Sequence, residues 1–144
     1  MMKDLNPEVL SIKPSGIRKF FDLVSEMKDA ISLGVGEPDF DTPWHIREEG
    51  IHSLEKGRTF YSSNAGLLEL REEISRKVES MHGISYSPKD EVMITVGGSE
   101  AIDLAMRVIL TPGDEVLIPE PCYVSYLPCA KMAYGVPVPI PLEE

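Results

Sequence analysis

The sequence contains few cysteines, few basic residues and no long apolar run. Two cysteines in 144 residues are too few for a disulfide framework. The 14 Lys and Arg residues are outnumbered by 24 Asp and Glu residues, and the resulting net charge of −10 disfavours duplex nucleic acid and anionic membranes as main partners. No segment approaches the roughly 18 apolar residues of a membrane-spanning helix. The first residues lack the apolar core of a secretory signal. We therefore expect a soluble, cytoplasmic protein.

The overall composition is that of a folded protein. Apolar residues make up 42% of the chain and charged residues 26%, which argues against a disordered chain. A length of 144 residues is ordinary for one domain. Length alone therefore suggests a single complete domain.

The first half of the chain predicts helices separated by loops rich in glycine and proline. Apolar residues recur at helical spacing in three segments, and a short apolar run between the first two is typical of a buried strand. The predicted helices span Ser15–Met27, Pro43–Lys56 and Ala65–His82, and the predicted strand spans Ala30–Val35. Gly83 follows the third helix where a C-terminal glycine is expected.

The second half predicts strands that alternate with helices. The predicted strands are Val92–Val96, Glu115–Ile118 and Val136–Ile140, and the helices between them are Glu100–Leu110 and Pro121–Tyr134. Pro128 interrupts the second of these helices. This β-α-β-α-β order is typical of an α/β protein with a doubly wound, mainly parallel sheet and right-handed crossovers.

The segment Gly97-Gly98-Ser99 joins a predicted strand to a predicted helix and has two interpretations. The glycines would let an anion approach the free N–H groups at the helix start, and the Ser99 hydroxyl would add a donor, so the segment could bind phosphate. Alternatively, it is a tight turn in which Ser99 is an ordinary N-cap. Spacing alone favours the ordinary turn.

Two further segments contain candidate ligand contacts. Gly36, in the loop that precedes the second helix, could offer its N–H to a substrate oxygen, or could simply belong to a connector. Tyr123 follows the second strand of the α/β part and could stack on an aromatic ring, or could be a core aromatic. Ligands of open α/β sheets bind at the carboxyl edge of the strands, where both Tyr123 and Gly97–Ser99 are predicted. Together these candidates favour a ligand site.

These motifs, in this order and spacing, resemble the fold-type I pyridoxal-5′-phosphate aminotransferases of class I/II, the group similar to aspartate aminotransferase. The similarity runs from about Lys13 to Ile140. The matching segments are Lys13–Ser15, Leu33–Pro43, Tyr61, Gly66, Leu70-Arg71, Thr95–Ala101, Pro112–Val116 and Pro121–Tyr126. Each segment is weak evidence by itself, and their order makes the resemblance specific.

The resemblance implies a role for each candidate residue. Gly97, Gly98 and Ser99 would bind the phosphate of pyridoxal 5′-phosphate. Tyr123 would stack on the pyridine ring of the cofactor, and the backbone of Gly36 would contact the substrate carboxylate. Tyr61 would reach across a homodimer to the phosphate held by the neighbouring subunit, unless it is a packed loop aromatic.

The resemblance also implies what lies outside this sequence. In the family a lysine forms the Schiff base with the cofactor, and no lysine here has the required context, so we expect that lysine beyond residue 144 and no catalytic residue within the chain. Residues 1–43 would be an N-terminal segment on the substrate side, and residues 44–144 the first part of the cofactor-binding large domain.

The expected protein is therefore the N-terminal part of an enzyme of amino-acid metabolism that transfers an amino group between an amino acid and a 2-oxo acid. The chain alone is expected to be inactive. The alternatives are a carbon–sulfur lyase or related enzyme of the same fold, and a stand-alone, non-catalytic phosphate-binding α/β module. We predict no metal site and neither nucleic acid nor membrane as a partner.

Overall fold

The computed structural model of the chain describes residues 5–14, 16, 23, 27, 36 and 38–143. The helix predicted over 15–27 and the strand predicted over 30–35 therefore lie almost wholly outside the described residues. The chain forms two compact units, one made of Met1–Ser15 and Glu91–Glu144 and the other of Gly16–Asp90. The boundary expected after residue 43, between an N-terminal segment and a large domain, remains a prediction.

Five helices and two strands make up the regular structure of the described residues. In chain order they are α1 (Pro7–Ser11), α2 (Trp44–Glu55), α3 (Leu68–His82), α4 (Gly98–Ile109), β1 (Glu115–Glu120), α5 (Tyr126–Met132) and β2 (Val136–Pro141). None of these helices is long and apolar enough to cross a membrane. Four helices and both strands overlap segments predicted to be helical or extended, although α4 begins two residues before its predicted start and both strands extend past their predicted ends. Helix α1 was not predicted.

Helix α3 is held against the segment that follows it by buried polar side chains. Arg71 is only 6% exposed, and its Nη1 donates to the carbonyl oxygens of Pro88 at 2.7 Å and Lys89 at 3.1 Å. The Ser75 hydroxyl, also buried, donates to a carbonyl oxygen of the same segment. Gly83 ends the helix in the left-handed conformation, with a φ of 69°, as predicted. Local polar contacts thus fix the chain where it leaves α3.

The α/β part is a parallel pair of strands joined by α5. Strand β1 pairs with β2 in the register Glu115 to Val136. The buried core lies between β1 and α5, and its apolar members are Ile118, Cys129, Ala130 and Ala133. A Cβ added at Gly135 would lie 3.0 Å from Leu110 Cδ1 and 3.2 Å from Val116 Cγ2, so there is no spare room where α5 leads into β2. The observed parallel pair with its crossover helix confirms the predicted α/β class.

Alternating prolines make β2 suited to the edge of a sheet. The N–H groups of Val136 and Leu142 donate to carbonyl oxygens of Asp114 and Glu120, at 2.8 and 3.0 Å. Because the N–H groups of a strand alternate between its two edges, residues 137, 139 and 141 face away from β1. All three are prolines. The outer edge of β2 therefore offers no N–H donor to a further strand over this length.

The strand predicted at Val92–Val96 does not join the sheet, which has two strands in the part of the chain that the structure describes. Its last N–H, that of Val96, donates to the Glu100 carboxylate, and the Thr95 hydroxyl donates to the Gly97 carbonyl oxygen at 3.0 Å. A strand is defined by hydrogen bonds to a neighbour, so an apolar β-branched run without a partner stays outside the sheet.

Helix α5 begins five residues later than predicted, at Tyr126 instead of Pro121. Pro128 is its third residue. The first N–H groups of a helix have no partner within the helix, so a proline costs no hydrogen bond there. The proline that seemed to interrupt the predicted helix thus lies in its first turn.

Candidate functional site

The site is built on the turn that starts helix α4. Gly97 is the N-cap and has φ 86° and ψ 171°, a backbone region that is essentially restricted to glycine. The next residue, Gly98, is helical, and a Cβ added there would meet no atom within 4 Å. The first N–H groups of a helix have no intrahelical partner, and they carry the positive end of the helix dipole. The start of α4 therefore has the open approach and the donors that an anion requires.

Ser99 is not the N-cap of α4, so the prediction that it is an ordinary N-cap is wrong. Gly97 is the N-cap, and no side chain caps it. The carboxylate of Glu100, in the third helical position, instead accepts the N–H of Val96 just before the turn. This contact resembles half of a capping box. Because Ser99 does not cap the helix, its hydroxyl can make other contacts.

Three hydroxyl groups meet beside the start of α4. Ser99 Oγ lies 2.7 Å from the Tyr123 hydroxyl and 3.1 Å from Ser125 Oγ. Hydrogen bonds from Ser125 and Ser99 lower the pKa of the Tyr123 phenol by stabilising its anion. The structure thus brings together two of the predicted site residues, Ser99 and Tyr123, which are 24 positions apart in the chain.

The ring of Tyr123 is oriented by a second aromatic residue. Tyr126 packs against it with ring centroids 5.7 Å apart and an interplanar angle of 81°, which is an edge-to-face arrangement. Tyr123 is half exposed, so its ring remains accessible to a ligand. Sequence reasoning assigned no role to Ser125 or Tyr126, although both lie in the same matching segment as Tyr123.

The other two predicted site residues, Gly36 and Tyr61, belong to the unit formed by Gly16–Asp90. Tyr61 is fully exposed, so the interpretation of this residue as a packed loop aromatic is wrong. Gly36 is exposed, and a Cβ added there would meet no atom within 4 Å. Both residues are accessible within their own unit.

The cysteines and acidic residues do not form a further centre in the described part of the chain. No group of three or more His, Cys, Asp or Glu side chains there could hold a metal ion. Cys122 and Cys129 are both free thiols. Burial raises the pKa of the Cys129 thiol, which keeps it protonated and makes it a packing residue.

Comparison with known proteins assigns the family. The family model described as aminotransferase class I and II matches residues 28–144. YugH of Bacillus subtilis, named as an aminotransferase without a stated substrate, is 56% identical over 96% of this chain and 36% of its own length. Aromatic-amino-acid aminotransferase 2 of Thermococcus litoralis is 46% identical over 97% of this chain and 36% of its own length.

Solved structures agree with the sequence comparison. Thermus thermophilus aspartate aminotransferase with maleate aligns with a TM-score of 0.86 and 38% identity, over 97% of this chain and 37% of that one. The aromatic aminotransferase from Pyrococcus horikoshii aligns with a TM-score of 0.76 and 47% identity, over 89% of this chain and 34% of that one. The chain belongs to the class I and II aminotransferase family, and it spans about a third of the length of these relatives.

Proposed function

We propose that this chain supplies the phosphate-binding and ring-stacking part of a pyridoxal-5′-phosphate-dependent aminotransferase, which transfers an amino group between an amino acid and a 2-oxo acid. One observation carries the proposal. In a chain that belongs to this family, the glycine turn at the start of α4 lies beside the hydroxyl of an accessible tyrosine.

The residues at the start of α4 fit a phosphate group. The free N–H groups and the Ser99 hydroxyl are donors, and the helix dipole favours the negative charge of the ligand. The open space beside Gly98 allows a phosphate oxygen to approach the backbone closely. The accessible ring of Tyr123 offers a stacking surface for the cofactor's pyridine ring, which when bound supplies the electron-withdrawing chemistry of amino-group transfer.

Two further residues with proposed ligand contacts belong to the Gly16–Asp90 unit. The accessible backbone of Gly36 supports its proposed contact with the substrate carboxylate. The full exposure of Tyr61 supports a role outside its own unit, and we propose that its hydroxyl reaches the cofactor phosphate of a neighbouring subunit in a homodimer. The two free thiols support action in a reducing compartment such as the cytoplasm.

The test of this function uses the full-length gene product that carries this sequence. The purified protein is supplied with pyridoxal 5′-phosphate, 2-oxoglutarate and either aspartate or an aromatic amino acid, and glutamate formation is measured. We expect glutamate formation that depends on the cofactor, and we expect the 144-residue chain alone to give none, because the lysine of the family is expected beyond residue 144. A folded full-length protein that does not bind the cofactor would refute the proposal.

The homodimer is tested separately with Tyr61→Phe. This variant keeps the ring and removes the hydroxyl, so we expect weaker binding of pyridoxal 5′-phosphate and an unchanged dimer in analytical ultracentrifugation. Unchanged affinity for the cofactor, or a wild-type protein that is monomeric and active, would rule out the proposed contact across subunits.

A further inference from the structure

The hydroxyl of Ser125 is at a helix N-cap but does not cap the helix. Ser125 is the N-cap residue of α5, and its side chain makes no capping hydrogen bond. A serine in this position ordinarily accepts the N–H of the second or third helical residue. The third residue here is Pro128, which has no N–H. The sequence therefore removes one of the two usual partners of this hydroxyl.

The Ser125 hydroxyl is turned toward the start of α4 instead. Its Oγ lies 3.1 Å from Ser99 Oγ, in a partly buried position. Each serine hydroxyl carries one proton and can accept two hydrogen bonds. The direction of the bond between Ser99 and Ser125 therefore depends on where the Ser99 proton goes.

A bound phosphate would fix that direction. The phosphate of the cofactor is largely dianionic near neutral pH, so its oxygens accept hydrogen bonds and cannot donate them. Ser99 must give its single proton to such an oxygen. Its contacts with Tyr123 and Ser125 then persist only if Ser99 accepts both hydrogen bonds, one from the Tyr123 hydroxyl and one from Ser125. A hydroxyl that accepts a hydrogen bond is polarised and becomes a stronger donor.

We propose that Ser125 is a positioning residue that donates to Ser99 Oγ and so directs the Ser99 proton to the phosphate of the bound cofactor. This inference rests on the function proposed above, and it adds a residue to which neither the sequence motif nor the comparisons assign a role. In this role Ser125 acts through Ser99, which its hydroxyl contacts, and not through a contact of its own with the cofactor.

The test measures the affinity of the full-length gene product for two ligands, pyridoxal 5′-phosphate and pyridoxal, which lacks the phosphate. Removing one hydrogen bond in Ser125→Ala should weaken pyridoxal 5′-phosphate binding about 2- to 10-fold. Binding of pyridoxal should weaken less, because this ligand lacks the phosphate to which Ser99 donates. Ser125→Thr keeps a hydroxyl and should restore the affinity.

A double-mutant cycle then asks whether Ser125 acts through Ser99. In a Ser99→Ala background, Ser125→Ala should cause no further loss of affinity, because the hydroxyl that it directs is gone. Ser53→Ala is the matched control. It removes a serine hydroxyl that donates to the Gly50 carbonyl oxygen within α2, at 2.9 Å, and it should leave both affinities unchanged.

Each outcome bears on one of the two proposals. If Ser125→Ala weakens both ligands equally, or weakens pyridoxal 5′-phosphate as much without Ser99 as with it, Ser125 is structural or acts elsewhere and the inference is overturned. If Ser99→Ala weakens the cofactor and Ser125→Ala does not, only the inference fails. If the wild-type protein does not bind pyridoxal 5′-phosphate, the proposed function fails and the inference falls with it.

Discussion

Adjacent glycines at the start of α4 should respond to the same substitution in opposite ways. Gly97 has φ 86° and ψ 171°, which an L-residue adopts only at a cost of about 1–3 kcal/mol. Gly97→Ala should therefore lower the free energy of unfolding by about that amount. The backbone of Gly98 has no such restriction, and a Cβ added there meets no atom within 4 Å. Gly98→Ala should leave stability unchanged or raise it by up to about 1 kcal/mol.

Gly98→Ala, which should not reduce stability, should instead reduce ligand affinity. The new Cβ at Gly98 would occupy the open space through which a phosphate approaches the helix N–H groups. Losing one hydrogen bond from such a group to a charged phosphate oxygen costs about 1.5–3 kcal/mol, which corresponds to a weakening of about 10- to 150-fold. Gly98→Ala should therefore be a stable protein that binds pyridoxal 5′-phosphate poorly.

The assay combines urea unfolding with the dissociation constant for pyridoxal 5′-phosphate in the full-length gene product. Gly50→Ala is the control. Gly50 is helical in α2, a Cβ there also meets no atom within 4 Å, and the residue is outside the proposed site, so stability should rise slightly with no change in affinity. If Gly98→Ala binds the cofactor as tightly as the wild type, the phosphate does not lie beside Gly98. If Gly97→Ala is as stable as the wild type, the backbone argument is wrong.

Substitutions at three further positions test the fold in urea unfolding. Ile118→Ala should cost about 2–5 kcal/mol and Ile118→Val only about 0.5–1.5, because Ile118 is 3% exposed in the core; equal costs would contradict the burial. Arg71→Met should cost about 1.5–3 kcal/mol through the loss of charged hydrogen bonds to two carbonyl groups, and an unchanged stability would show that these bonds contribute nothing. Hydrogen bonds from the N–H and hydroxyl of Thr111 lower the pKa of Asp114, so the advantage of the wild type over Asp114→Asn should be present at neutral pH and shrink as the pH falls below about 4. An advantage that is independent of pH would contradict this role.

The parts of the fold that sequence reasoning predicted well depend on local rules. Helix α3 and its terminal Gly83 follow from apolar periodicity and from the left-handed backbone that ends many helices. The parallel pair of β1 and β2 follows from two short apolar runs with a helix between them. The segment Val92–Val96 has the same apolar character, yet it is not paired, because pairing depends on a neighbour that composition cannot supply. Local patterns therefore predicted elements more reliably than their partners.

The same difference between local patterns and tertiary contacts applies to the site, and it explains why sequence reasoning assigned no role to Ser125. The motifs singled out Gly97–Ser99 and Tyr123 individually, but only the folded chain shows that Ser99 and Tyr123 share a hydrogen bond. The sequence does contain a local signal for Ser125, since a serine three residues before a proline at a helix start lacks one of its usual capping partners. The sequence does not show the direction in which the uncapped Ser125 hydroxyl points. That direction depends on how α5 packs against α4, which is a tertiary property. A serine of this kind is therefore expected to have a hydrogen-bond partner outside its own helix, and in this structure that partner is Ser99.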